Sequence, residues 1–132
     1  MLHHTSVSVT NYQDSLIFYD KTFYILGFER GMTVEESDVK CAGYRDNGQP
    51  NFWVSPTGDQ DELIGQARGD HFAFLAPNQA AVDAWYAKCL ELGAQDNGAP
   101  GHRPEYHPGS YDAFVVDPNG WLIAACIHDY SD

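Results

Sequence analysis

Two stretches of this chain repeat each other at a fixed distance, and that repeat limits the fold more than any other feature. HTSVSVTNYQDSLIFYDKTFYILG begins at His4, and HFAFLAPNQAAVDAWYAKCLELG begins at His71. At a constant offset of 67, His4 meets His71, Asn11 meets Asn78, Tyr19 meets Tyr86 and Lys21 meets Lys88. Leu26-Gly27 meets Leu92-Gly93 after a slip of one residue. Identity is sparse, but the order of residue types recurs, as expected of one supersecondary unit used twice.

Each half opens with a strand. Over residues 4–9, Thr5, Val7 and Val9 alternate with His4, Ser6 and Ser8; over 71–76, Phe72 and Phe74 alternate with His71, Ala73 and Leu75. A period of two predicts half-buried strands, with each histidine opposite the most apolar face. A helix follows in each half. Asn11 and Asn78 are suited to accept from orphan N–H groups at its start. Leu16, Tyr19, Phe23 and Leu26 share one helical stripe, as do Val82, Trp85, Cys89 and Leu92. Gly27 and Gly93 end the two helices.

FERGMTVE, DVKCAGYR and NFWVSP read as the remaining strands of the first half, with DNGQP a turn between the last two. The second half reads as a loop, DNGAPGHRPEYHPG, then YDAFVVD, a DPNG turn and WLIAACIH. With one helix per half, each sheet has a covered face and an open one. Two such sheets side by side predict a cup with helices behind it, into which His4 and His71 project from equivalent places. That pair is a candidate metal or substrate site.

A length of 132 residues suits a single domain, with module one about 1–56, a polar linker about 57–69 and module two about 70–132. Nineteen acidic residues against seven basic ones give a formal charge of −12, which repels phosphate backbones and anionic membranes. No apolar run approaches the roughly 20 residues of a membrane span, and MLHHTSVSV lacks the layout of a secretion signal. Three widely spaced cysteines, Cys41, Cys89 and Cys126, argue against a disulfide framework. The expected location is cytoplasmic.

HHTSVSV, SLIFYDK, GYRDNGQPNFWV, GDHFAF and GAPGHRPEYHPGSYDAFVVDPNG, in this order and spacing, resemble the vicinal oxygen chelate superfamily. That family includes glyoxalase I, bleomycin- and fosfomycin-resistance proteins and extradiol dioxygenases, and its small bacterial glyoxalase-like members are the most similar. The resemblance implies an α+β fold of two tandem βαβββ modules, with helices outside a curved mixed-sheet cup. It also implies a homodimer that covers exposed sheet edges.

In metal-binding members, ligands come from the first and last strands of each half. Carried over, the first strands give His4 and His71, with His3 taking the place of His4 if the register slips by one. Trp53 stands at the third position, with Asn51 and Ser55 on its face. At the fourth, seven residues after Asp117, Ala124 replaces the family's Glu. Two imidazoles without a carboxylate make a weak site for Zn, Ni, Fe or Mn. Cys126 and His128 share the parity of Ala124 and are further candidate ligands, although the plainer reading of His128 is a surface strand end.

Trp53, Tyr106 and Tyr111 are aromatic groups suited to stack on a ligand or to pack the rim. Arg103 and His107 lie in the Pro/Gly-rich loop, where binding groups concentrate. The carboxylate expected to pair with Arg103 is internal, Glu105 or Asp112, or else belongs to a ligand. The acidic run at 59–63 reads as solvated linker. The resemblance implies a protein of the glyoxalase, bleomycin-resistance and dioxygenase type that binds a small organic molecule in the cup. The alternative is a metal-dependent lyase or isomerase, lactoylglutathione lyase-like, or a dioxygenase, using His4 and His71. No residue stands out as catalytic.

Overall fold

Alternation of small polar and apolar residues in both halves produces the same unit twice. A computed structural model of the chain describes residues 2–36, 39–57 and 70–128. The first unit is β1 (Thr5–Val9), α1 (Tyr12–Leu26), β2 (Glu29–Glu35), β3 (Lys40–Arg45) and β4 (Phe52–Pro56). The second is β5 (Phe72–Leu75), α2 (Gln79–Glu91), β6 (Gln95–His102), β7 (Ser110–Val116) and β8 (Leu122–His128). The fold is therefore α+β, with two βαβββ units in tandem. Most of the expected linker, including the acidic run at 59–63, lies outside the described residues.

The two sheets share one topology, ordered β1-β4-β3-β2 and β5-β8-β7-β6. In each, the first strand lies parallel to the last and forms one edge. Asn11 accepts from the Asp14 N–H and Asn78 from the Ala81 N–H, so both expected caps are present. Gly27 takes a left-handed backbone at φ 89°, which lets the chain leave α1 and turn directly into β2. Leu16, Tyr19, Phe23 and Leu26 are buried along α1, and Val82, Trp85 and Cys89 along α2.

One segment differs from the sequence expectation. The stretch read as a loop from residue 96 holds β6, and only residues 103–109 remain outside a strand. Its Gly and Pro content resembles a loop because β6 is an edge strand with two breaks in register, around Gly98 and before Gly101. Proline and glycine are tolerated where a strand is bulged and unpaired on one side.

The two units are joined by a shared aromatic core and by one turn. Phe23 and Phe52 of the first unit meet Phe74 of the second at centroid distances of 4.8 and 5.1 Å. The DPNG turn between β7 and β8 then docks on the first unit. Asn119 accepts from the Thr10 N–H at 3.1 Å and donates to Ser15 Oγ at 3.0 Å. The Tyr19 hydroxyl donates to Asp117 at 2.6 Å, and the Trp121 indole N–H donates to the Ser8 carbonyl at 2.8 Å. All three cysteines are free thiols. Among the described residues, no helix is long and apolar enough to cross a membrane.

Candidate functional site

On the first sheet, Val7, Val9, Phe52 and Val54 face the helix, which leaves Ser6, Ser8, Trp53 and Ser55 on the open face. Trp53 lies across β3 at Gly43, its register partner. A β-carbon at position 43 would stand 2.9 Å from the indole, so this glycine makes room for the flat ring. Trp53, Ser6, Ser55, Cys41 and Met32 line a cavity of about 810 Å³ over this face. His4 borders that cavity at the mouth of β1.

A second cavity, of about 620 Å³, lies between the units at the starts of β1 and β5. His4 and His71 both line it, above Phe23, Phe52, Phe72 and Phe74. His4 is in close contact with its neighbour, the two Nδ1 atoms of His3 and His4 being 2.7 Å apart. One ring must therefore donate to the other.

On the second sheet, Ala113, Val115, Ile123 and Ala125 face α2 and the core. Ser110, Asp112, Phe114, Ala124, Cys126 and His128 have the opposite parity and face away from it. Phe114 is the centre of this face. The His71 ring lies 6.1 Å from it, the Tyr106 ring 6.4 Å, and the Arg103 guanidinium 5.7 Å. Arg103 is held there by backbone: it donates to the Ala99 carbonyl at 2.7 Å and to the His102 carbonyl at 3.5 Å. Gly98 and Gly101 leave space for it; a β-carbon at 101 would stand 2.9 Å from the guanidinium.

The expected internal carboxylate for Arg103 is not there. Among the described residues Arg103 forms no ion pair, and Asp112 instead meets Ser110 and His128. Arg103 folds back over the β6 glycines onto Phe114, while the carboxylate of Asp112, two residues earlier on the same face of β7, is taken up by Ser110 and His128. Tyr111 is also separated from the other candidates. Its odd position turns it to the helix side, where its hydroxyl donates to Asp83 of α2 at 2.6 Å. His107 shapes its own loop, Nδ1 accepting from the Gly109 N–H at 3.1 Å.

The family's metal positions do not form a complete donor set here. Ala124 is fully buried between Ala73 of β5 and Phe114 of β7, where no ligand atom is offered. Trp53 contributes an indole, which does not coordinate metals. Cys126 and His128 cannot make up the deficit beside His71. His71 lies one step before the Phe72–Ile123 pair and Cys126 lies opposite Leu75, so the two are four residues apart along the sheet. At about 3.3 Å per residue that is about 13 Å.

Phe114 and Ser110 are site residues that the sequence reading did not single out, and Asp112 was considered there only as a partner for Arg103. A signal for two of them was present. A hairpin closing on the DPNG turn places residues equally far from the turn opposite one another, which pairs Asp112 with Cys126 and Ser110 with His128. Phe114 carried no such signal, because an aromatic residue in an apolar strand looks like core.

The family model for the Glyoxalase/Bleomycin resistance protein/Dioxygenase superfamily matches residues 1–125. Among solved structures, the chain is similar to a glyoxalase/bleomycin resistance protein from Albidiferax ferrireducens, with 25% identity and a TM-score of 0.75 over 93% of this chain and 95% of that one. It is similar in fold to a glyoxylase/bleomycin resistance protein/dioxygenase domain from Frankia, with 15% identity and a TM-score of 0.73 over 98% of both chains. A glyoxalase I variant from Zea mays shares the fold at 18% identity and a TM-score of 0.72, over 97% of this chain and 46% of that one. No curated protein is significantly similar in sequence.

Proposed function

The chain belongs to the Glyoxalase/Bleomycin resistance protein/Dioxygenase superfamily, and from that premise we propose that it binds a small organic molecule carrying an acidic group on the open face of its sheets. The observation that supports this reading is Arg103. In a chain of net charge −12, its guanidinium lies over Phe114 without a carboxylate partner among the described residues. A ligand carboxylate would supply the missing charge, with Tyr106 and His107 at the rim and Trp53 as an aromatic wall on the first sheet. Guanidinium pairs well with a planar carboxylate through parallel N–H bonds.

The protein acts in this reading as a binding module in the cytoplasm, its 1–132 span forming one domain. It works as a homodimer. β1 and β5 each form the edge of their sheet among the described residues, and the cavity between them is bordered by the exposed Leu2 and Leu75. A second copy covering those edges would enclose the open faces.

A lyase or dioxygenase reading rests on His4 and His71 lining one cavity. Asp46 borders the same cavity, but among the described residues no carboxylate is brought close enough to both histidines to complete the two-histidine, one-carboxylate set that such chemistry uses. Ligand-observed NMR with benzoate and benzamide separates the readings. Binding of benzoate but not benzamide supports the acid-binding role; metal-dependent binding of both, lost in His4→Ala, supports the enzyme.

A further inference from the structure

Four side chains on the open face of the second sheet converge at its far end. β7 and β8 pair Asp112 with Cys126 and Ser110 with His128, so the four form a two-by-two grid on one face. A carboxylate oxygen of Asp112, the Cys126 sulfur and a ring nitrogen of His128 all lie within 4.8 Å of one another. His128 Nε2 is 3.1 Å from Asp112 Oδ2 and 3.2 Å from Ser110 Oγ, and Ser110 donates to the other Asp112 oxygen. Asp112 and Ser110 are buried, whereas Cys126 and His128 are half-buried.

We propose that Asp112, Cys126 and His128 bind one divalent transition-metal ion, zinc by preference, with Ser110 holding the Asp112 carboxylate in place. This site is separate from the family positions at His4 and His71. Zinc bonds of about 2.0–2.1 Å to N and O and about 2.3 Å to S set tetrahedral ligand spacings near 3.5 Å. The Asp112–His128 pair, at 3.1 Å, is already close to that spacing, and the thiol, within 4.8 Å of both, must close by up to about 1.3 Å. A carboxylate, an imidazole and a thiolate favour zinc or cobalt over magnesium or calcium, which prefer oxygen alone. Three protein donors leave one position open, and the exposed part of His128 gives the ion a path from solvent.

Metal binding would replace the Cys126 S–H bond with a metal–sulfur bond and release the proton to solvent.

Cobalt(II) added to the reduced, purified protein tests the proposal. The expected result is one ion per chain, with a thiolate-to-cobalt charge-transfer band that zinc abolishes. Cys126→Ser should remove the band. Ser110→Ala should weaken binding roughly 10–100-fold, as loss of an outer partner does, and His128→Gln by more. The double variant His4→Ala/His71→Ala should leave band and affinity unchanged. Absence of the band in the native protein, its persistence in Cys126→Ser, or its loss in the His4/His71 double variant would each overturn the proposal. Should Cys126→Ser fail to fold, the native band and its loss in a folded His128→Gln decide the same question.

Discussion

The Tyr19 hydroxyl of α1 donates to the Asp117 carboxylate at 2.6 Å, joining residues 98 positions apart in the chain. Asp117 also accepts from the backbone N–H groups of Asn119 and Trp121. One carboxylate thus shapes the DPNG turn and fixes it to the first unit. Tyr19→Phe removes one donor from a buried charge, and a bond of this kind contributes about 1.5–3 kcal/mol. The expected outcome is a loss of that size in urea denaturation, with the slope unchanged.

Acidity should affect this contact in a defined direction. Burial holds the Asp117 carboxyl above the usual carboxylate range, outweighing the bonds from Tyr19, Trp121 and Asn119 that favour the charge. A carboxyl more easily protonated in the folded chain contributes stability that is full below its unfolded pKa and is lost as pH rises through the raised folded value. The stability difference between the native protein and Asp117→Asn should therefore shrink as pH climbs from the ordinary carboxylate range. Urea midpoints across mildly acidic pH measure this, and a difference that grows with pH would mean that the donors outweigh burial.

Gly43 should resist substitution. A β-carbon there would stand 2.7 Å from the Pro50 side chain and 2.9 Å from the Trp53 indole. Gly43→Ala is expected to displace the ring and cost about 1–3 kcal/mol, the usual range for overpacking. A shift in tryptophan emission alongside a lower denaturation midpoint would show both effects.

Restoring the family's carboxylate at position 124 should fail. Ala124 has no solvent exposure and lies between Ala73 and Phe114. Ala124→Glu would bury a carboxyl without a partner, and an unpaired buried polar group costs roughly 2–7 kcal/mol. Thermal melting should fall sharply, and calorimetric titration with nickel should show no gain over the native protein.

Much of the fold was legible in the sequence because helix and strand periods, Asn caps and helix-ending glycines are local signals. The repeat then supplied the order of the units. β6 was not legible, since Gly98, Pro100 and Gly101 report the local bulges of an edge strand and not its pairing. At the site, parity placed Cys126 and His128 on the face of Ala124, away from the core. It did not place Arg103, whose position depends on space above two glycines and on backbone acceptors across the β6 bend. The role of Tyr111 likewise depended on Asp83, a partner 28 residues away. Long-range partners of this kind leave no trace in spacing.

Whether Arg103 over Phe114 receives an acidic ligand is seen in NMR of the labelled protein during a benzoate titration. Saturable shifts of the Arg103 side-chain N–H and of the Phe114, Tyr106 and His71 ring signals are expected, all absent in Arg103→Gln. Shifts confined to the Trp53 cavity, or equal shifts with benzamide, would contradict acid binding at Arg103.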